Sequence, residues 1–275
     1  MTADTSILEL TDLRFAYPDG TVALDGVTLR IESGSVVAIV GQNGSGKTTL
    51  AKHLNGLLRP SSGHVVVGGS DTAKQPVRSL AVHVGYVFQN PGHQLFARTV
   101  REELAFGPRN LGVSAAEIGD RATDVAKALG LEQHLEDHPH RLPLPLRKLV
   151  SIASVLTMRT AVLVLDEPTT GQDHRTAVRI SEVIRTTAAS GTTVVLVSHD
   201  MPLVAEIADR VVVMDAGRVV ADGPPRAVLG DGALTAATRL APPQITQLAA
   251  MLPGRGNGPA VLSVEELVAQ LRGRT

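Results

Sequence analysis

The chain has 275 residues, 26 basic against 27 acidic side chains for a net charge of −1, 43% hydrophobic and only 2% aromatic residues, and no cysteine. That length suits one large α/β domain or a core with smaller lobes, packed from Val, Leu, Ile and Ala. The charge balance argues against nucleic acid held by bulk electrostatics, leaving room for a local basic patch. The absence of cysteine rules out disulfides, zinc knuckles and thiolate catalysis.

The first residues show no basic stretch followed by an apolar run, so no secretory signal is expected. Residues Ile7–Arg14 and Val22–Ile31 read as two strands joined by a Tyr17-Pro18-Asp19-Gly20 turn. A buried strand Ser35–Val40, a glycine-rich loop and a helix over about Lys47–Leu58 follow, then strands His64–Val67 and Val82–Phe88. From Gln89 to about Thr160 the character is helical, with a Ser114/Glu117 capping box, a helix ending near Gly130 and another through Leu149–Met158.

Parallel-sheet grammar then returns. Val162–Leu165 and Thr193–Val197 are apolar throughout, as strands buried on both faces are, and a helix Thr176–Ala188 separates them. Val211–Met214 and Arg218–Ala221 flank Asp215-Ala216-Gly217 as a hairpin. Beyond about Gly230 a Gly-, Pro- and Ala-rich tail closes with a helix capped by Ser263 and Glu266, and its loop Gly254–Gly258 is expected to be mobile. No run approaches the roughly 20 apolar residues that span a bilayer, so any membrane this chain serves is expected to be crossed by another chain.

The strongest chemical signal is Gly41-Gln42-Asn43-Gly44-Ser45-Gly46-Lys47-Thr48, a GxxxxGK[ST] phosphate loop between an apolar strand and a helix. Its glycines let backbone N–H groups wrap phosphate oxygens, and the helix adds a positive N-terminal dipole. Lys47 can bridge the β- and γ-phosphates, and the Thr48 hydroxyl can ligate Mg²⁺; Thr49 follows in the same cradle. ATP and Mg²⁺ are therefore the expected ligands. Val162-Leu-Val-Leu-Asp166-Glu167 ends a buried strand on two carboxylates, where an open α/β sheet binds its ligand. Asp166 is suited to hold Mg²⁺ and Glu167 to polarise attacking water. His134, His138 and His140 lie close in sequence, but no convincing carboxylate or thiolate completes a metal site, so they read as a solvated helix end.

With these motifs, and with Gln89 after Val84-Gly-Tyr-Val-Phe88, Asp166-Glu-Pro-Thr169, Asp173 and Ser198-His199, the sequence resembles the ABC ATPases over about Ile7–Pro225. The resemblance implies a P-loop α/β fold: a mixed core sheet, an antiparallel β subdomain, a helical subdomain at about 90–160, a cassette over 1–228 and a small C-terminal extension over 229–275. It implies that Tyr17 stacks on adenine, that Gln89 senses Mg²⁺ and attacking water, that His199 contacts the γ-phosphate beside Glu167, and that Asp173 signals across a dimer. Thr48, Gln89 and Asp166 are then the metal-site residues.

Arg14-Phe-Ala-Tyr-Pro-Asp-Gly20, Phe88-Gln-Asn-Pro-Gly-His-Gln-Leu-Phe96 and Val100-Arg-Glu-Glu-Leu-Ala-Phe-Gly-Pro-Arg-Asn110 are similar to the energy-coupling-factor and cobalt-type importer ATPases, which serve uptake of vitamins or transition-metal ions. So is the tail, with Pro242-Pro-Gln-Ile-Thr-Gln-Leu248 and Glu265-Glu-Leu-Val268, which in that family helps pair two ATPases. The implied partners are a second ABC ATPase, different or identical, an integral membrane scaffold docking near Leu95 and Phe96, and a substrate-binding membrane subunit, with the chain peripheral on the cytoplasmic face. A soluble ABC ATPase or a nucleotide-sensing regulatory subunit is the alternative.

One departure stands out. Where the family carries an LSGGQ-like signature, this chain reads Leu142-Pro143-Leu144-Pro145-Leu146. The prolines have no N–H and no hydroxyl remains, so the site this segment faces is expected to hydrolyse poorly, with Arg147 and Lys148 restoring some charge there. Gln172, where the family usually has leucine, has no account from sequence.

Overall fold

The structure, a computed structural model, describes residues 6–252 and 259–272; the loop Gly254–Gly258 lies outside them. The chain runs β1 (Ser6–Ala16), β2 (Val22–Glu32), β3 (Val36–Val40), α1 (Lys47–Leu54), β4 (Ser62–Val67), β5 (Ser70–Asp71), α2 (Val77–Leu80) and β6 (Val84–Val87). Helices α3 (Val100–Asn110), α4 (Ala115–Leu129) and α5 (Leu144–Leu156) come next, as the helical character of that stretch predicts. Then follow β7 (Val162–Asp166), α6 (His174–Ala189), β8 (Thr193–Val197), α7 (Met201–Ile207), β9 (Arg210–Asp215) and β10 (Arg218–Gly223). The tail holds α8 (Pro225–Gly230), α9 (Gly232–Ala237), α10 (Gln244–Met251) and α11 (Val264–Arg272).

Two sheets form. An antiparallel one has the order β2-β1-β4-β5; the other has the order β10-β9-β3-β8-β7-β6, with β9, β3, β8, β7 and β6 mutually parallel and β10 antiparallel at the edge. Side chains alternate faces along a strand, and here both faces are apolar. Val37 and Ile39 of β3, Val162 and Val164 of β7, and Val195 and Val197 of β8 pack with β1, β2 and β4 in one core. Their neighbours Ala38, Leu163, Leu165, Val194 and Leu196 pack with α3–α7 in the other.

Because β3, β6, β7 and β8 are parallel and in level register, with Ile39 and Asp166 both opposite Val197 and Leu165 opposite Val87, their C-terminal loops emerge along one edge. That edge carries the phosphate loop, the Gln89 turn, Asp166-Glu167 and Ser198-His199.

Several boundaries differ from sequence expectation for local reasons. Helix α1 stops at Leu54 rather than Leu58, since Asn55 ends it and Gly56 takes φ +73°. Helix α5 begins at Leu144, five residues before Leu149, because Pro143 is its N-cap and Pro145 falls in the first turn, where a missing N–H breaks no helical bond. Helix α6 starts at His174, capped by Asp173, whose carboxylate accepts from Thr176 N at 2.8 Å. Short elements such as α2 and α7 give too little periodicity to be read from sequence. In the tail, Arg226 donates to both oxygens of Glu266 and to Ala260 O, fixing α11 to α8. Among the described residues no helix is long and apolar enough to cross a membrane.

Candidate functional site

The phosphate loop leaves β3 at Gly41 and enters α1 at Lys47. Two of its glycines are required by close backbone approach as well as by φ. A Cβ on Gly41 (φ +147°) would lie 2.2 Å from Met214 O, and one on Gly46 (φ +99°) 2.5 Å from Ala23 O. Inside this cradle Lys47 is nearly buried and its Nζ donates to Gly41 O and Gln42 O, each at 2.8 Å. Burial lowers its pKa, opposed by the nearby Glu167 and Asp166 carboxylates. Ser45 Oγ is buried without a hydrogen-bond partner, a donor free for an anion.

Across the sheet edge, Asp166 is 1% exposed and accepts from Thr48 Oγ1 and from Tyr86 OH, both at 3.1 Å. Burial raises its pKa; the two hydroxyl donors oppose the shift. Glu167 follows at φ +53°, an uncommon backbone state for a non-glycine residue and one that clusters at functional sites. Its carboxylate accepts from Thr170 Oγ1 at 3.2 Å and meets His199 Nδ1 at 2.7 Å.

Tyr17, Asn43, Gly44, Gly46, Lys47, Thr48, Thr49, Gln89 and Glu167 line one cleft of about 470 Å³. Gly41, Gln42 and Ser45 complete the loop beneath it, and Asp166 and His199 reach it through Thr48 and Glu167. Residues singled out along more than 180 positions of sequence thus meet at one edge. Tyr17 lines the cleft with its OH 2.9 Å from Thr49 Oγ1 and its ring edge-on to Phe15, which in turn meets the His53 ring. A larger groove, about 750 Å³, opens between α4, α5 and α6, but none of these residues lines it. Size does not identify the site; the convergence of charged and phosphate-binding groups does.

Sequence reasoning missed Tyr86, whose buried hydroxyl holds Asp166, and misjudged Lys148. Lys148 is 2% exposed and turns inward, donating to Gln89 O at 2.7 Å and to Phe88 O and Asp166 O at 3.3 Å. It restores no charge to the outer face of Leu142–Leu146. A lysine amid the apolar residues of α5 was the available signal. Leu95 is buried in the core, so of the expected apolar anchor only Phe96 is exposed, edge-on to Phe106 at 4.6 Å. Buried Glu103 accepts from Phe96 N and Ala97 N and sets that loop.

Gln172 gains a structural account: its Nε2 donates to Pro145 O at 3.3 Å, tying the segment after Glu167 to the start of α5. His134 pairs with Asp137 at 2.8 Å, and His140 Nε2 lies 2.9 Å from Leu95 O. Among the described residues no three His, Cys, Asp or Glu side chains are grouped to hold a metal ion. The Mg²⁺ expected from sequence fits a different donor set. Asp166 and the Thr48 hydroxyl are adjacent hard oxygens opening toward the phosphate cradle, the kind that ion takes together with phosphate and water.

Comparison with known proteins agrees with this geometry. Residues 24–170 match the ABC transporter family. The chain is 41% identical over 263 residues to a putative ABC transporter ATP-binding protein of Caldanaerobacter subterraneus subsp. tengcongensis, covering 96% of this chain and 45% of that one. It therefore spans less than half the length of that relative. Identity is 40% over 244 residues to the energy-coupling factor transporter ATP-binding protein EcfA of Methanothermobacter thermautotrophicus, covering 88% of this chain and 78% of the relative. Among solved structures, cbiO1 from Clostridium perfringens, part of the ABC transporter complex cbiONQ, aligns with a TM-score of 0.75 and 34% identity over 90% of this chain and 100% of the other.

Proposed function

The chain belongs to the ABC transporter family of ATP-binding proteins, and from that premise we propose that it is the ATP-hydrolysing subunit of an energy-coupling-factor-type importer, working beside a second ATPase. The observation that carries this is the meeting of Lys47, Thr48, Gln89 and Glu167 in one cleft, with Asp166 and His199 bonded to its walls. Residues 1–228 form the cassette and residues 229–275 an extension that takes part in pairing.

The roles follow from the chemistry of each group. The loop from Gly41 to Thr49 holds the triphosphate through backbone amides and the Lys47 ammonium, which leaves its own carbonyls for phosphate oxygens. Thr48, Asp166 and Gln89 would hold Mg²⁺, which when bound would neutralise phosphate charge. Glu167 accepts the proton of the attacking water, with His199 orienting the carboxylate and reaching toward the γ-phosphate. Tyr17 stacks on adenine. Replacing Tyr17 with alanine is expected to weaken ATP affinity about 5- to 150-fold, the scale of one base–aromatic stack, about 1–3 kcal/mol. Tyr17→Phe should lose less, since only the link to Thr49 goes; calorimetric titration of both variants checks this.

Pairing rests on Leu142–Leu146. Helix α5 begins there on Pro143 with no side-chain cap, and Pro145 offers no N–H, so this face is a poor donor to a phosphate held by a partner. The intact half-site of this chain is completed by another ATPase with a serine- and glycine-bearing segment. The exposed Phe96–Phe106 pair docks the membrane scaffold, and the chain sits peripherally on its cytoplasmic side. Cargo, a vitamin or a transition-metal ion, is chosen by the membrane-embedded chains.

The test is twofold. Expressed with its neighbouring genes, the chain should co-purify with a polytopic membrane protein and a second ATPase. Alone it should bind Mg-ATP while turning it over about 10²-fold more slowly than in that complex. Strong turnover by a verified homodimer would exclude the asymmetric pairing.

A further inference from the structure

We propose that Lys148 is a positioning residue of the hydrolytic site, whose ammonium holds the turn carrying Gln89 against the end of β7 carrying Asp166 and Glu167. The proposal rests on the functional assignment of those residues and adds to it a group outside the cleft lining. An ammonium withdrawn from water persists only where its donors are met. Lys148, 2% exposed, has three donors and three acceptors, all of them backbone carbonyls: Phe88 O at 3.3 Å, Gln89 O at 2.7 Å and Asp166 O at 3.3 Å. Binding carbonyls rather than carboxylates fixes the path of two chain segments and leaves the side chains of Gln89, Asp166 and Glu167 free for chemistry.

Tyr86 OH on Asp166 ties β6 to the end of β7, but in the hydrogen-bond network described above only Lys148 links that end to the Gln89 turn itself. Gln89 is exposed and follows β6, whereas Asp166 ends β7. The register of β6 with β7 ends at Val87 opposite Leu165, so the two turns diverge beyond the ladder where Lys148 bridges them. The same lysine lies in the second turn of α5, close behind Pro143–Leu146, the face offered to a partner ATPase. A displacement of α5 therefore carries the Gln89 and Asp166 turns with it. Nearby charge is favourable: the Asp166 and Glu167 carboxylates oppose the lowering of its pKa by burial.

Lys148→Met keeps the aliphatic stem and removes the three donors; Lys148→Gln returns two neutral ones. In the purified full-length chain, ATP affinity is measured by calorimetry in EDTA and in Mg²⁺, and basal turnover with labelled ATP. Lys148→Met is expected to leave the EDTA affinity within about twofold, because the phosphate loop is untouched, to shrink the Mg²⁺-dependent gain at least about fivefold, and to lower kcat at least about tenfold at little changed KM, in keeping with loss of charge-assisted hydrogen bonds. Lys148→Gln should recover part of both. A folded Lys148→Met chain with wild-type Mg²⁺ dependence and kcat overturns the proposal, as does an equal loss of affinity in EDTA. Failure of both variants to fold, seen by circular dichroism, assigns Lys148 to stability and also overturns it. If the unmutated chain binds no Mg-ATP, the functional assignment itself falls, which separates that failure from this one.

Discussion

Replacing Glu167 with glutamine is expected to lower ATP turnover of the paired complex by about 10²–10⁴, the range that general acid–base catalysis supplies, while ATP binding is kept or tightened. Glutamine is close in size, and its carbonyl oxygen can still accept from Thr170 Oγ1, but it cannot take a proton from water. It also removes a negative charge next to the polyphosphate site, which relieves like-charge repulsion with the nucleotide. The left-handed backbone at Glu167, φ +53°, is set by its loop and by its N–H bond to Val197 O at 2.9 Å, so the substitution leaves the turn in place. Quench-flow hydrolysis together with ATP retention on a filter measures both halves. Turnover within about threefold of wild type would remove Glu167 from the base role.

The second large effect runs in the opposite direction. Changing Pro143 to Ser, Leu144 to Gly and Pro145 to Gly should raise turnover by the isolated chain about 10²–10³-fold, because each preorganised donor in such a site carries a factor of that order. The change restores one hydroxyl and two backbone N–H groups at the start of α5, and removes the Leu144 side chain that is 55% exposed at that face. Stability should be little affected: serine caps a helix that now has no side-chain cap, which offsets the lower helix propensity of glycine, about 1 kcal/mol per residue. The bond from Gln172 survives, since it uses the carbonyl of residue 145 and not its side chain. Steady-state hydrolysis as a function of chain concentration tests this. If the triple variant forms an ATP-dependent homodimer yet turns over no faster, the weakness of the chain lies elsewhere than in Leu142–Leu146.

The parts of the site legible in the sequence are those whose chemistry is local. Gly41–Thr48 declares itself because backbone wrapping, helix dipole and lysine are contiguous in the chain, and Asp166-Glu167 because an all-apolar strand runs directly into two carboxylates. The Glu167–His199 contact spans 32 positions and is visible only once β7 and β8 lie side by side; from sequence it came through family resemblance. Tyr86 was hidden because a tyrosine in a strand reads as packing, and its bond to Asp166 crosses between strand ends. Lys148 was misread for a related reason. Next to Arg147 it looked like charge offered to the face of Leu142–Leu146, whereas it lies inside α5, which begins at Leu144, and is buried there. Reading the helix only over Leu149–Met158 thus missed both its start at Leu144 and a buried ammonium.

The aromatic poverty of the chain has a practical consequence. It contains two tyrosines and no tryptophan. One phenol is bonded to Thr49 in the wall of the cleft, and the other, buried, to Asp166 beside Thr48. Tyrosine emission from the unlabelled protein therefore arises from two phenols that are both bonded to residues of the nucleotide site, so an intrinsic optical signal can follow occupancy in real time, and removing the Tyr17 hydroxyphenyl group would leave Tyr86, held on Asp166, as the sole tyrosine emitter.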